Sequence, residues 1–227
     1  MAISKDEFER FMNQARIGLP GASDAGIKQQ LYDVLDDFCE NSGAWQETLS
    51  VPILPGTTSG GMSTNVTYTL TPAKEGYIIR LVGVWDPNVI PQPAFIPTFD
   101  GGPDSVGPLV LVNPVNTAQT FTVTVAKTVK TTTTRENIPI FSDTLFKRYH
   151  RYILEGVLGA MRAQPNVPYS NQALAQQNQQ RFRTGVSMAR VQVQRQNTLG
   201  AQAWSFPQTF RTRGQRGGVS TANPTSF

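Results

Sequence analysis

The residues of this chain that could do chemistry are few and scattered. Its one histidine, His150, lies in a basic helical segment, and the nearest carboxylate, Glu155, is five positions away and off its face. General acid–base work or metal binding would need partners that are not there, so a surface or interface histidine is expected. The one cysteine, Cys39, can form neither an internal disulfide nor a thiolate pair for a metal, and is expected in the core. Asp33, Asp36, Asp37 and Glu40 are spaced i, i+3, i+4 and i+7 and can share one helix face. Carboxylates so placed could hold Mg²⁺ or Ca²⁺, but a solvated acidic face opposite Ile27, Leu31 and Leu35 is the ordinary outcome. There is no phosphate-cradling loop, nucleophile elbow or paired-histidine zinc helix, and the glycine pairs at 60–61, 101–102 and 217–218 read as turns. The expectation is no catalytic residue, no metal and no cofactor, and therefore not an enzyme.

Charge is more informative. From Ser142 onward the acids are Asp143 and Glu155 alone, against Lys147 and ten arginines, while the first 141 residues are net acidic. A basic half beside an acidic half points to nucleic acid or to an acidic protein surface as partner. Arg181, Arg183, Arg190 and Arg195, continued by Trp204, Phe206, Phe210, Arg211 and Arg213, could grip phosphates and stack bases. No zinc-finger or helix-turn-helix reading pattern accompanies them. A solvated arginine face, docking on an acidic protein and sequence-independent contact with DNA all stay open at this point.

The elements that would position these residues fall into an α+β pattern. Ser4 and Glu7 form a capping box before Phe8, Phe11, Met12 and Ala15, which predicts a first helix ending near Gly18. A second runs from about Ser23 through Ile27, Leu31, Val34, Leu35 and Phe38 and stops at Asn41-Ser42-Gly43. From Trp45 to about Ile140 threonine and valine dominate, and strands are predicted at Val66–Leu70, Tyr77–Trp85, Leu109–Val112 and Phe121–Lys130 in a small antiparallel sandwich or barrel. Pro87 to Pro108 reads as a long loop. A third helix begins at Ser142-Asp143 with the stripe Leu145, Tyr149, Ile153, Gly156, Val157 and Ala160 and stops before Pro165. A fourth, capped by Ser170, carries a thin stripe of Leu174, Phe182, Gly185, Val186, Ala189 and Val193, broken by glutamines. A long helix with so little apolar surface needs other helices or other subunits to hold it. Beyond Gly200 the chain is too poor in apolar residues to fold alone and is expected to order on a partner.

This arrangement resembles the head-to-tail adaptor family of tailed bacteriophages, also called connector or neck proteins. The local matches are Phe38 to Leu49 (FCENSGAWQETL), Ile153 to Met161 (ILEGVLGAM), Pro165, Pro168-Tyr169-Ser170-Asn171, Leu174-Ala175, Phe182, Gly185, Ala189 and Arg190. They cover roughly residues 23–50 and 142–213. Family members commonly have Trp at the position of Tyr169, and a more leucine-rich third helix where this chain has Gly159 and Met161. The resemblance implies a virion protein forming a homo-oligomeric ring, usually of twelve copies, under the portal protein, with a tail or nozzle protein below and double-stranded DNA passing through its channel. It further implies that Trp204, Phe206, Phe210, Arg211 and Arg213 bind the portal.

The expected organisation is a four-helix unit (1–44 and 142–199), an inserted antiparallel β domain (45–141) and an extended tail (200–227). Arg181, Phe182 and Arg190 are expected at the subunit interface. No run of about 18 apolar residues and no basic-then-apolar leader occurs, so no membrane is expected and the chain should be soluble in the host cytoplasm before assembly. The competing reading is a sequence-independent DNA-binding accessory protein that uses the basic C-terminal half.

Overall fold

A computed structural model describes residues 3–53, 66–70, 76–85, 95–97, 107–111, 119–129 and 138–198. It is α+β. Two helices, α1 (Lys5–Gly18) and α2 (Asp24–Ser42), precede six strands, and α3 (Asp143–Arg162) and α4 (Gln172–Thr198) follow them. One compact unit runs from Met1 to Val193, and a second begins at Gln194 with the last residues of α4. The tail predicted from residue 200 onward lies outside the described residues.

The helices form where apolar side chains recur at helical spacing. Phe8, Phe11, Met12 and Ala15 bury one face of α1, and Ile27, Leu31, Val34, Leu35 and Phe38 bury one face of α2. With Phe141, Phe146 and Ile153 they build a core whose largest rings are wholly enclosed. The Ser23 hydroxyl accepts the Gly26 N–H at 3.2 Å and caps α2. At the other end Gly43 takes φ +61°, and its N–H donates to the Cys39 carbonyl at 2.8 Å. Glycine is favoured there because the left-handed backbone disfavours a side chain, and the Arg80 guanidinium occupies the space a Cβ would take.

Three caps differ from expectation; at α3 the Ser142 side chain makes no capping bond. The Ser4 side chain makes no capping bond, so the box with Glu7 does not form. The Ser4 N–H donates instead to Asp143 Oδ1 at 3.0 Å, joining the start of α1 to the start of α3. A tertiary acceptor has replaced the local one. At α4, Asn171 rather than Ser170 is the cap: its Oδ1 accepts the Leu174 N–H at 3.0 Å, while the Ser170 N–H closes the preceding turn on Val167 O.

The strands are β1 (Gln46–Ile53), β2 (Val66–Leu70), β3 (Tyr77–Trp85), β4 (Phe95–Pro97), β5 (Gly107–Leu111) and β6 (Gln119–Thr128). They form two antiparallel three-stranded sheets, ordered β1-β6-β3 and β2-β5-β4. β1, which contains Pro52, is not among the predicted strands. It lies at a sheet edge, where a missing N–H is tolerated. β4 falls inside the segment read as one long loop, and pairs Phe95 to Pro97 with Leu111 to Leu109 of β5. Along β6 the expected alternation holds at first, with Val123 and Val125 buried and Thr120 exposed. From Ala126 to Val129 every residue is buried, because there the strand enters the helical core.

Candidate interaction surface

Helix α4 is attached to α3 by removing side chains rather than by adding them. Its buried line is Ala175, Asn178, Phe182, Gly185, Ala189 and Val193, small residues except for one ring. A Cβ at Gly156 of α3 would lie 2.7 Å from Val34 Cγ1 and 2.8 Å from Phe182 Cδ2. At Gly159 it would lie 3.1 Å from the Gln179 backbone nitrogen and 3.3 Å from the Ala175 carbonyl oxygen. The α4 backbone therefore rests on Gly159, and the Phe182 ring fills the notch over Gly156. In the reverse direction Gly185 admits Tyr152, with which a Cβ would collide. Leu174, placed in the buried stripe by its spacing, is 40% exposed, and Ala175 takes its position. A leucine cannot fit where two backbones come this close.

The three residues expected at a subunit interface lie on three different faces. Phe182 is 7% exposed and belongs to the core of its own chain, so its ring is unavailable to a neighbour. Arg181 is exposed and pairs with Glu155 of α3 at 3.0 Å. It shares a flank of α4 with Leu174 and Met188, seven residues away on either side, and next to them Val191 is 45% exposed. Arg190 lies on the opposite flank with Arg183, both exposed, among Gln176, Gln180 and Ser187. α4 thus presents one apolar flank and one cationic flank, and over its 27 residues it carries no acid. The sequence signal for this was the run of Gly156, Gly159, Ala175, Gly185 and Ala189, small residues at helical spacing on two successive helices.

A second joint fixes the base of the β1-β6-β3 sheet. Lys127 is almost fully buried, its ammonium paired with the Glu47 carboxylate and 4.6 Å from the Trp45 ring centroid. Its backbone N–H donates to Trp45 O at 2.8 Å. Trp45 stands edge-on to Phe141 at 5.3 Å between centroids, and the next residue, Thr128, donates its hydroxyl to Asp36 of α2. Cys39 is wholly buried nearby, and burial pushes its thiol up, outweighing the lowering effect of Thr128. A thiol so held is inert.

The acidic residues of α2 do not converge as metal ligands would. Asp36 is engaged by Thr128 and Asp37 by Asn41, while Asp33, Asp37 and Glu40 are exposed. Among the described residues no group of three or more His, Cys, Asp or Glu side chains could hold a metal ion. Burial, followed by the charges of Asp36 and Asp37, raises the Glu40 carboxyl above its ordinary value. His150, expected at the surface or an interface, is half-buried. It meets Phe11 and Phe146 edge-on at 5.5 and 5.7 Å, with Nε2 buried and, among the described residues, without a hydrogen-bond partner. Burial and then Arg10 lower its pKa, opposed by Glu7.

Trp204, Phe206, Phe210, Arg211 and Arg213, and much of the β insertion between Pro87 and Pro108, lie outside the described residues. Among those described, no helix is long and apolar enough to cross a membrane. Compared with known proteins, the chain matches no family model and no curated relative.

Proposed function

We propose that the chain is a structural subunit, not an enzyme, of the neck of a tailed bacteriophage: a head-to-tail adaptor that forms a homo-oligomeric ring of about twelve copies on the portal protein. In this reading a tail or nozzle protein docks below, double-stranded DNA passes through the channel without sequence-specific contact, and the protein enters the virion from the host cytoplasm. The sequence resemblance supports it, and so does an architecture of two helices, a β insertion and two further helices. The observation that carries it is α4, a 27-residue helix whose inner face is small and which exposes Leu174, Met188 and Val191 on one flank and Arg183 and Arg190 on the other. A helix of this kind is a component that neighbours complete.

The tail beyond Gly200 is proposed as the portal anchor. Trp204, Phe206 and Phe210 would bury against the portal, and Arg211 and Arg213 would face acidic groups or carbonyls. The experiment removes residues 200–227 and measures association with purified portal at moderate salt. Loss of binding is expected, and undiminished binding would exclude the tail as anchor.

One observation favours a second reading. The absence of acids on α4 suits a DNA-binding accessory protein, in which case the chain should show strongly salt-dependent affinity for duplex DNA. Loss of DNA binding on truncation, with portal association unchanged, would select this reading.

A further inference from the structure

Resting on the ring reading, we infer that the contact between neighbouring copies is head to tail, with the arginine flank of α4 in one copy seated on the acidic face of α2 in the next. The α4 side of this contact is Arg183 and Arg190, both exposed and seven residues apart on one flank. Among the described residues neither makes an ion pair, whereas Arg181 is already engaged by Glu155. The α2 side is Asp33, Asp37 and Glu40, all exposed, with Asp33 and Glu40 also seven residues apart. Seven residues span about 10.5 Å along a helix axis, so the two rows of charge have the same repeat and can meet in register.

Charge also decides which pairings are available. Two copies of α4 face to face would set arginine against arginine, since no acid on that helix relieves the contact. Two copies of α2 would set carboxylate against carboxylate, on a face where Glu40 already feels the charges of Asp36 and Asp37. Both same-helix pairings are therefore repulsive and the pairing of α4 with α2 is attractive, and the ring reading requires that pairing to run head to tail. A heterologous contact between different patches closes into a ring when its rotation permits. The glutamines and serine beside the arginines, Gln176, Gln180 and Ser187, suit the wet rim of such a contact.

The test uses the full-length chain and three preparations followed by sedimentation at low salt and high protein concentration. The unaltered chain should self-associate. R183E/R190E and D37K/E40K should each weaken self-association ~10-fold or more, because each sets like charges against one another. Mixing the two variants should restore association, since each now carries what the other lacks. R183Q/R190Q, which removes charge without reversing it, should fall between. Unchanged circular dichroism guards against misfolding, and recovery in the mixture requires that both variants be folded. An unaltered chain that stays monomeric would overturn the inference, as would variants that associate normally or a mixture that fails to recover. Portal binding measured in parallel separates the two ideas: complementary charge reversal without portal binding would leave this contact standing and remove the neck reading. If R183E/R190E abolishes duplex DNA binding while leaving self-association unchanged, the flank belongs to nucleic acid and this inference fails.

Discussion

The two joints of the molecule are built by opposite means. Where α4 meets α3, Gly156, Gly159 and Gly185 clear space so that backbones and two rings, Phe182 and Tyr152, can approach. At the base of the β1-β6-β3 sheet a buried ammonium is paired with a half-buried carboxylate beside an indole, and the neighbouring hydroxyl bonds a second carboxylate on α2. The first joint should therefore fail when atoms are added and the second when a partner is removed. Both fix a geometry, but neither can drift gradually, since close packing and buried charge each tolerate few alternatives. The charged joint also ties the insertion to the helices at one defined register, through Lys127 to Trp45 and Thr128 to Asp36.

The sharpest way to break the comparison is at Glu47. Glu47→Gln leaves the Lys127 ammonium buried without its counter-ion, and a loss of about 3–5 kcal/mol is expected in denaturant unfolding. Replacing both partners together, as Lys127→Met with Glu47→Leu, should recover most of that loss. A double replacement as costly as the single one would show that the pair is not what holds this joint.

At the other joint the expected effect is smaller and has the opposite origin. Gly185→Ala or Gly156→Ala should cost about 1–3 kcal/mol by overpacking. Hydrogen exchange should show the amides of α4 opening while those of α3 stay protected. Shrinking the opposing ring, as Gly156→Ala with Phe182→Leu, should couple favourably in a double-mutant cycle. Simple additivity would mean that the ring and the glycine do not meet as described.

His150 gives a pH test that neither joint explains. Its imidazole is held below the ordinary value of about 6.5, so the folded state disfavours the proton and binds fewer protons than the unfolded chain in that window. The stability it supports is complete above the ordinary value and is lost as pH falls towards the lowered one. His150→Phe, which keeps the edge contacts with Phe11 and Phe146, should flatten the decline in stability between about pH 7 and 5 relative to the unaltered chain. An unchanged slope would assign the dependence to other groups. The smallest effect is expected at Arg181→Ala, where an exposed pair with Glu155 should contribute about 0–1 kcal/mol in thermal unfolding.

Much of the helical architecture was legible in the sequence because it follows from local rules. The apolar spacing of α1, α2 and α3, the stop at Gly43 and the strands β2, β3, β5 and β6 depend on residues close in the chain, and the structure has them at or near the predicted places. The phase of α4 was not legible. Its buried face was chosen by the glycines of α3, which admit Ala175 and exclude Leu174, and a periodicity that weighs only hydrophobicity prefers the leucine. Arg181, Phe182 and Arg190, expected together at an interface, are separated by the fold onto three faces. The exchange of Glu7 for Asp143 at the Ser4 N–H spans 139 residues, and the burial of Lys127 against Glu47 spans 80. By itself the sequence determined where helices and strands could form and which half of the chain is basic. Only tertiary structure decided which polar groups meet and which arginines face outward, because such pairings depend on distances in space that no local pattern encodes.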